Sequence, residues 1–360
     1  MGGMYFLDQP DVMAPFVAGN RSRAFGAGLD PFAYERVTDG LRSLHDWPAA
    51  FRAAGARLVA AADEYAAQGR TVSAGEALRG AARWLHFSTL LPHPDATAMA
   101  GAARAADEAM GRALALTEPS AVRVEGASFA GWLRHPVRLE APVAPLGPVP
   151  VVVVVPGTDS AKEEFHAVAD ALLARGVAVC AIDGPGQGVM AARQGPRADY
   201  QHVVGEVLDA VAGRPGVDVE RAGVLGLSLG GYYASVSAAY EPRVRAAVAV
   251  SGPYRLDWDG LPPFVTDTLT RRCGGREAAR EFAGRVDLTG TASRIDCPLL
   301  VVEGGTDDTP GVADGTALAA AAPNATLLCV PHGDHLLGNS RPDWLARTAD
   351  WLAARLLTTP

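Results

Sequence analysis

The 360-residue chain has 49% hydrophobic and 20% charged residues, which is ordinary for a globular protein and unlike a disordered or fibrous one. Its formal net charge of −8 leaves no basic face for nucleic acid. The apolar runs are too short to cross a bilayer, and the four cysteines lack metal-binding spacing. We therefore expect a cytoplasmic protein that binds no nucleic acid, membrane, metal or organic cofactor.

The first third of the chain is predicted to be helical. Apolar residues recur at helical intervals over residues 44–61, over 78–90 behind the N-cap candidate Ser73, and over 95–116. These intervals predict an antiparallel domain of three or four helices, which we place at residues 1–118.

Strands and helices alternate after Pro119. Two short strands flank a turn at Glu125-Gly126, and the apolar run VPVVVVV is typical of a strand covered on both faces. The alternation that follows predicts parallel strands with helices on both faces of the sheet. We therefore predict an α/β domain at residues 119–360, with a lid-like insertion at 253–294.

The segment GLSLG, at residues 226–230, matches the pattern G-x-S-x-G. It follows the predicted strand RAGVLGL directly and precedes a predicted helix. In this context the pattern indicates a tight turn that exposes the hydroxyl of Ser228 as a nucleophile. A serine hydroxyl needs a base to take its proton, so a histidine and an orienting acid are expected further along the chain.

Two pairs of residues compete for these roles. Asp307 follows the predicted strand PLLVVEG and is favoured as the acid, with Asp308 as its neighbour and rival. His335 follows the last predicted strand, and the nearby Gly333 permits a sharp loop; His332, at the strand end, is the alternative base. The favoured triad is therefore Ser228, Asp307 and His335.

A negative oxygen that develops during acyl transfer needs two backbone N–H donors. The amide of Leu229 directly follows the nucleophile, and Thr158 lies in the loop after the strand VVVVV. We expect these two residues to form the oxyanion hole. Lys162, the only lysine among 32 basic residues, lies four positions further on and is predicted to begin a helix or to pair with a carboxylate that holds this loop.

The segments PGTDSAKEEF, IDGPGQG, GVLGLSLGGYYA, GGTDD and GDH together resemble the α/β-hydrolase superfamily. They are most similar to a branch with an N-terminal helical domain, which includes a carbon–carbon bond hydrolase of 2,6-dihydroxypseudooxynicotine, fungal polyketide-shortening hydrolases and the fermentation–respiration switch protein. The resemblance implies an α/β-hydrolase fold and a substrate cleft between the two domains. It also implies an additional glutamate between the nucleophile helix and the acid loop. The corresponding stretch of this sequence contains Asp257 and Asp259 but no glutamate, and Asp259 is taken as the match.

Aromatic residues near the predicted site are candidate substrate contacts. Tyr232 follows the nucleophile, Tyr254 and Trp258 follow a strand end, and His86 comes from the helical domain.

We predict a serine hydrolase that cleaves an ester, or a C–C bond next to a carbonyl, in a small aromatic or polyketide-like substrate through an acyl-enzyme. The alternative is a non-hydrolytic enzyme of the same fold, such as an acyltransferase, cyclase or elimination catalyst. A homodimer is also expected.

Overall fold

The computed structural model describes residues 4–136 and 147–358. Its N-terminal part is helical, with α1 at Met13–Ala27, α2 at Pro31–Thr38, α3 at Trp47–Ala67, α4 at Thr71–Phe87 and α5 at Ala96–Thr117. The last three confirm the predicted helices. The sequence pattern left α1 and α2 unassigned, although Asp30 accepts a hydrogen bond from the amide of Ala33 and so caps α2.

Two apolar clusters hold the helical part together. In the first, the rings of Trp47 and Phe51 stack with centroids 4.0 Å apart, and the Trp47 indole donates to the carbonyl of Phe87. The second is built mainly from alanine and leucine on α3, α4 and α5. Small side chains let these helices approach closely, which explains why alanine-rich segments form a packed core here.

The sheet follows the helical part and, within the described residues, contains eight strands. These are β1 (Val122–Glu125), β2 (Ala130–Arg134), β3 (Val149–Val155), β4 (Ala178–Asp183), β5 (Val217–Leu227), β6 (Val244–Val250), β8 (Leu299–Gly304) and β10 (Ala325–Val330). Their order is β1-β2-β4-β3-β5-β6-β8-β10. Strand β2 pairs antiparallel with β1 and with β4, and all the other pairs are parallel. The predicted mostly parallel α/β sheet is confirmed.

Helices cover both faces of the sheet, and each face has its own apolar core. These helices are α6 (His166–Leu173), α7 (Gln201–Val211), α8 (Leu229–Tyr240), α11 (Gly315–Ala321) and α12 (Arg341–Leu357). The helix predicted from Lys162 starts as a 3₁₀ turn over Lys162–Phe165 before α6 begins. Because parallel strands and crossover helices alternate, the carboxyl ends of β3, β5, β6 and β8 lie along one edge of the sheet.

The connection between β6 and β8 contains structure of its own. It holds β7 (Arg255–Leu256), α9 (Pro263–Arg272) and α10 (Arg276–Arg285). Strand β7 pairs antiparallel with β9 (Val312–Ala313), which follows β8. This insertion lies next to the carboxyl edge of the sheet. Among the helices that the structure describes, none is both long and apolar enough to cross a membrane.

Candidate active site

A sharp turn between β5 and α8 presents Ser228. Strand β5 ends at Leu227 and α8 begins at Leu229, so Ser228 stands alone between them. Its backbone has φ 55° and ψ −129°, a conformation that residues with side chains rarely adopt. The segment 226–230 therefore forms the strained strand–turn–helix geometry that its glycine pattern predicts.

The loop after β3 approaches this turn very closely. A Cβ atom added to Gly157 would lie 2.9 Å from Ser228 Cβ and 3.3 Å from Ser228 Oγ. No larger residue fits there without a shift of the backbone. Gly157 thus allows the neighbouring residue, Thr158, to line the cavity beside the serine hydroxyl.

His335 lies between Ser228 and Asp307. Its Nε2 is 3.0 Å from Ser228 Oγ, and its Nδ1 is 2.7 Å from Asp307 Oδ2. Burial opposes ionisation of Asp307, but the hydrogen bond and charge of His335 outweigh it and lower the pKa of that carboxyl. An ionised Asp307 can hold the Nδ1–H of His335, which leaves Nε2 able to accept the serine proton.

The geometry distinguishes between the two candidate acids and between the two candidate bases that the sequence offers. Asp308 lines the same cavity, but the structure shows no hydrogen bond between it and His335 within the ranges it describes. His332 is exposed at the surface, where its Nε2 lies 3.1 Å from Asp343 Oδ2. Of these four candidates, Asp307 and His335 are the two that form a chain of contacts with Ser228.

Thr158 and Leu229 both line the cavity around Ser228. Leu229 is the first residue of α8, so its amide belongs to the helix N-terminus and has no partner within the helix. In the described ranges, 4–136 and 147–358, neither the Thr158 amide nor the Leu229 amide donates a hydrogen bond. An oxyanion hole requires two N–H donors without a protein partner beside the nucleophile, so the assignment of Thr158 and Leu229 to this role stays a prediction.

Helix α1 supports the loop that carries Thr158. The guanidinium of Arg23 donates to Asp159 Oδ2 at 2.7 Å, to Ser160 Oγ at 3.0 Å and to both carboxylate oxygens of Glu164. The charge of Arg23 outweighs burial and holds the pKa of Glu164 well below its usual range. The sequence pattern did not reveal Arg23, because α1 itself was not assigned.

The cavity over Ser228 has a volume of about 540 Å³. Most of its apolar lining comes from the insertion, namely Pro253, Leu256, Pro262, Phe264, Val265 and Leu269. Of the described residues in the helical part, Arg23 alone lines it. The insertion thus provides most of the apolar lining and the helical part adds one side chain, and the predicted cleft between two domains stays a prediction.

The expectation for Asp259 is also corrected by its placement. Its side chain is 69% exposed, pairs with Arg280 and does not line the cavity. Asp259 follows β7 on the outer surface of the insertion, so its carboxylate points to solvent-exposed partners rather than toward Ser228. The additional acid implied by the resemblance is not supplied by this residue.

The four predicted ring contacts do not line the cavity either. Tyr232 is buried and donates to the carbonyl of Arg285, Trp258 is buried beneath Arg276, and Tyr254 packs against the apolar core. His86 is buried with its Nε2 2.9 Å from Glu164 Oε2. Large rings beside a sheet fill the core first, which explains these placements.

Glu303 also lines the cavity and is not among the residues predicted from the sequence. It is the penultimate residue of β8, is 7% exposed and lines the cavity. Burial, together with the nearby carboxylates of Asp307 and Asp314, raises the pKa of Glu303 to about 8. The cavity therefore holds one carboxyl group that remains protonated at neutral pH.

Comparison with known proteins agrees with this architecture. A family model described as serine aminopeptidase S33 matches residues 147–274. The chain is 31% identical to the 2,6-dihydropseudooxynicotine hydrolase of Paenarthrobacter nicotinovorans over 296 residues, which cover 81% of this chain and 79% of that protein. It is 35% identical to the 20-hydroxy-prefusarin hydrolase of Gibberella moniliformis over 270 residues, 65% of this chain and 63% of that one.

The fold is also shared with a solved structure. The crystal structure of the 2,6-dihydroxy-pseudo-oxynicotine hydrolase matches with a TM-score of 0.81 and 28% sequence identity. The match covers 93% of this chain and 95% of that one. The chain belongs to the α/β-hydrolase family. It is a hydrolase-family enzyme whose relatives include hydrolases of small molecules.

Proposed function

We propose that this enzyme hydrolyses a bond next to a carbonyl group in a small molecule, with Ser228 as the nucleophile. The observation that carries the proposal is the contact chain from Ser228 Oγ through His335 to Asp307, with lengths of 3.0 and 2.7 Å. Such a chain gives a serine hydroxyl the base it needs to attack a carbonyl carbon.

The reaction divides into acylation and hydrolysis. In acylation, Ser228 Oγ adds to the carbonyl carbon, its proton passes to His335 Nε2, and the amides of Thr158 and Leu229 bind the resulting oxyanion. Collapse of this intermediate expels the leaving group and leaves an ester on Ser228. Water, deprotonated by His335, then attacks that ester and releases the acid, and the proton returns to Ser228.

The leaving group decides whether a second acid is needed. An alcohol takes its proton from protonated His335, whereas a carbon leaving group departs with an electron pair and needs a proton on carbon. We assign that proton to Glu303, because it is the carboxyl on the cavity wall that burial keeps neutral. The proton that His335 took from Ser228 then passes to the ionised Glu303, which leaves His335 neutral and able to deprotonate the water of the second step. We therefore propose cleavage of a C–C bond beside a carbonyl, with ester hydrolysis as the simpler activity of the same site.

The substrate class follows from the cavity and from the relatives. A volume of about 540 Å³ with an apolar wall fits a compact molecule. The similar proteins are named for 2,6-dihydropseudooxynicotine and 20-hydroxy-prefusarin. Both names support a small aromatic or polyketide-like carbonyl compound as the substrate of this enzyme.

An aryl β-diketone and an aryl ester, tested side by side, separate the two activities. We expect wild-type enzyme to cleave both and Ser228→Ala to cleave neither. Glu303→Gln should lower the ratio of diketone to ester cleavage by about 100-fold, the usual contribution of a general acid. Asp259→Asn is the matched control and should leave both rates unchanged. A wild-type enzyme that cleaves the ester alone would limit the function to an esterase.

A further inference from the structure

A second cavity lies beside the catalytic one. Its volume is about 520 Å³, and it is lined by the segment between α4 and α5, the first turns of α5, the 3₁₀ turn Gly188–Ala192 and the end of α9. The buried residue Thr268, on α9, lines both cavities. The two cavities therefore adjoin each other at Thr268.

The two cavities carry opposite charge. Besides the protonated Glu303, the catalytic cavity is lined by four carboxylates, namely Asp159, Asp307, Asp308 and Asp314. Its one lining arginine, Arg23, is already paired with Asp159 and Glu164. The second cavity is lined by Arg104, Arg271 and Arg272 and, among the described residues, by no Asp or Glu. The lining of the second cavity is therefore positive, although the chain as a whole has a net charge of −8.

Arg272 is the least exposed of these three arginines. It is the last residue of α9 and partly buried, and no acceptor within residues 4–136 and 147–358 lies at hydrogen-bond or ion-pair distance from its guanidinium. Burial lowers the pKa of Arg272, and the attraction of Asp159 and Asp183 only partly offsets this. By contrast, Arg271 donates to the carbonyl of Pro94 at 2.8 Å.

A helix C-terminus favours a positive charge, which accounts for basic residues at the end of α9. The helix C-terminus would favour a positive charge equally if the side chain pointed into solvent. It therefore does not explain why the guanidinium of Arg272 lines a cavity and has no partner there. A partly buried cation without a partner has lost part of its hydration, and a bound anion compensates for that loss. The planar fork of a guanidinium matches the two oxygens of a carboxylate.

We propose that Arg272 binds a carboxylate at the end of the substrate remote from the bond that is cleaved. This inference rests on the proposed function, because it takes Ser228 as the point at which the substrate reacts. The carboxylates around Ser228 repel an anion, so the negative end enters the arginine-lined cavity and the carbonyl group stays beside Ser228. The substrate is thus an acyl compound with a free carboxylate, and its acid–carbonyl spacing sets specificity.

The test uses 4-nitrophenyl half-esters of linear dicarboxylic acids of increasing length, each compared with the neutral 4-nitrophenyl ester of equal length. We expect wild-type enzyme to prefer the charged ester at one chain length. Arg272→Gln should lower the charged-to-neutral ratio of kcat/KM about 10- to 100-fold, mainly through KM, as expected for a lost charge-assisted hydrogen bond. Arg272→Lys should lower it less.

The matched control is Arg280→Gln, on the exposed face of the same insertion, which should leave the ratio unchanged. Equal thermal midpoints of wild type and variants establish that the fold is intact, and Arg272→Lys replaces Arg272→Gln if the latter does not fold. Ester hydrolysis without any preference for charge, or a ratio unmoved by Arg272→Gln, overturns the carboxylate site alone. Absence of all ester hydrolysis, with no labelling of Ser228 by a fluorophosphonate, overturns the proposed function itself.

Discussion

The amine of Lys162 lies 2.7 Å from Asp183 Oδ2, at the carboxyl end of β4. It also lies 2.7 Å from Glu163 and 2.9 Å from Asp107, a residue of α5. The only lysine of the chain is therefore a buried centre that joins the helical part to the loop between β3 and α6. The expected pairing of Lys162 with a carboxylate is confirmed.

Replacement of this lysine should destabilise the fold. Lys162→Met leaves three carboxylates without their shared cation, so we expect the free energy of unfolding to fall by about 3–5 kcal/mol. Urea unfolding measures the change, and Lys162→Arg serves as the charge-conserving comparison. A Lys162→Met variant as stable as wild type would show that Lys162 does not stabilise the fold.

Arg23 is predicted to position the oxyanion loop. Arg23→Met removes the hydrogen bonds to Asp159, Ser160 and Glu164, so the amide of Thr158 loses its support. We expect kcat for an aryl ester to fall about 10-fold or more while KM changes little, since the defect concerns the developing oxyanion. The control is Arg21→Met, an exposed neighbour on α1. Equal effects of the two variants on kcat would contradict the assignment.

The two adjacent aspartates give a matched pair of variants. Asp307→Asn removes the carboxylate that contacts His335 Nδ1, and kcat should fall by about 10³- to 10⁴-fold. Asp308→Asn removes a carboxylate from the same cavity without touching His335, and kcat should change only a few-fold. Steady-state kinetics on one ester decides between them, and a larger loss in Asp308→Asn would reverse the assignment.

Glu303 makes stability depend on pH. The unfolded chain releases this proton near pH 4.5, whereas the folded protein keeps it until about pH 8. Between these values folding takes up a proton, so the free energy of unfolding falls as pH rises, by up to about 1.4 kcal/mol per pH unit. Glu303→Gln removes this penalty and should gain in stability relative to wild type from pH 5 to pH 8.

Urea unfolding at several pH values measures that difference. The control is Glu277→Gln, an exposed glutamate in the first turn of α10, which should follow the wild-type curve. A stability difference between Glu303→Gln and wild type that stays constant over this pH range would show that Glu303 ionises normally in the folded state.

The sequence predicts local features of this protein far better than contacts between distant segments. The strand–turn–helix at Ser228, the order of acid and base, and the parallel sheet all follow from short patterns in the chain. Arg23 was missed because α1 has a weak apolar pattern, and its partner Asp159 is far away in the chain. Glu303 did give a signal, as the one charged residue in the apolar run LLVVEG.

The wrong expectations share a physical cause. Asp259 and the four ring residues were placed in the cleft because they follow the nucleophile or a strand end, or belong to the helical part. Proximity in sequence fixes neither the direction of a side chain nor its burial, and the insertion turns Asp259 to the surface. The predicted homodimer stays a prediction, as does the division into domains at residue 118.

Covalent labelling of the nucleophile tests the central claim most directly. A fluorophosphonate probe, followed by peptide mass spectrometry, should modify Ser228 in wild-type enzyme and lose that modification in Ser228→Ala. His335→Ala should react much more slowly, because the hydroxyl then lacks its base. Stoichiometric modification of Ser228 that depends on His335 is the result we predict. An unlabelled Ser228 in folded, wild-type enzyme would contradict the account.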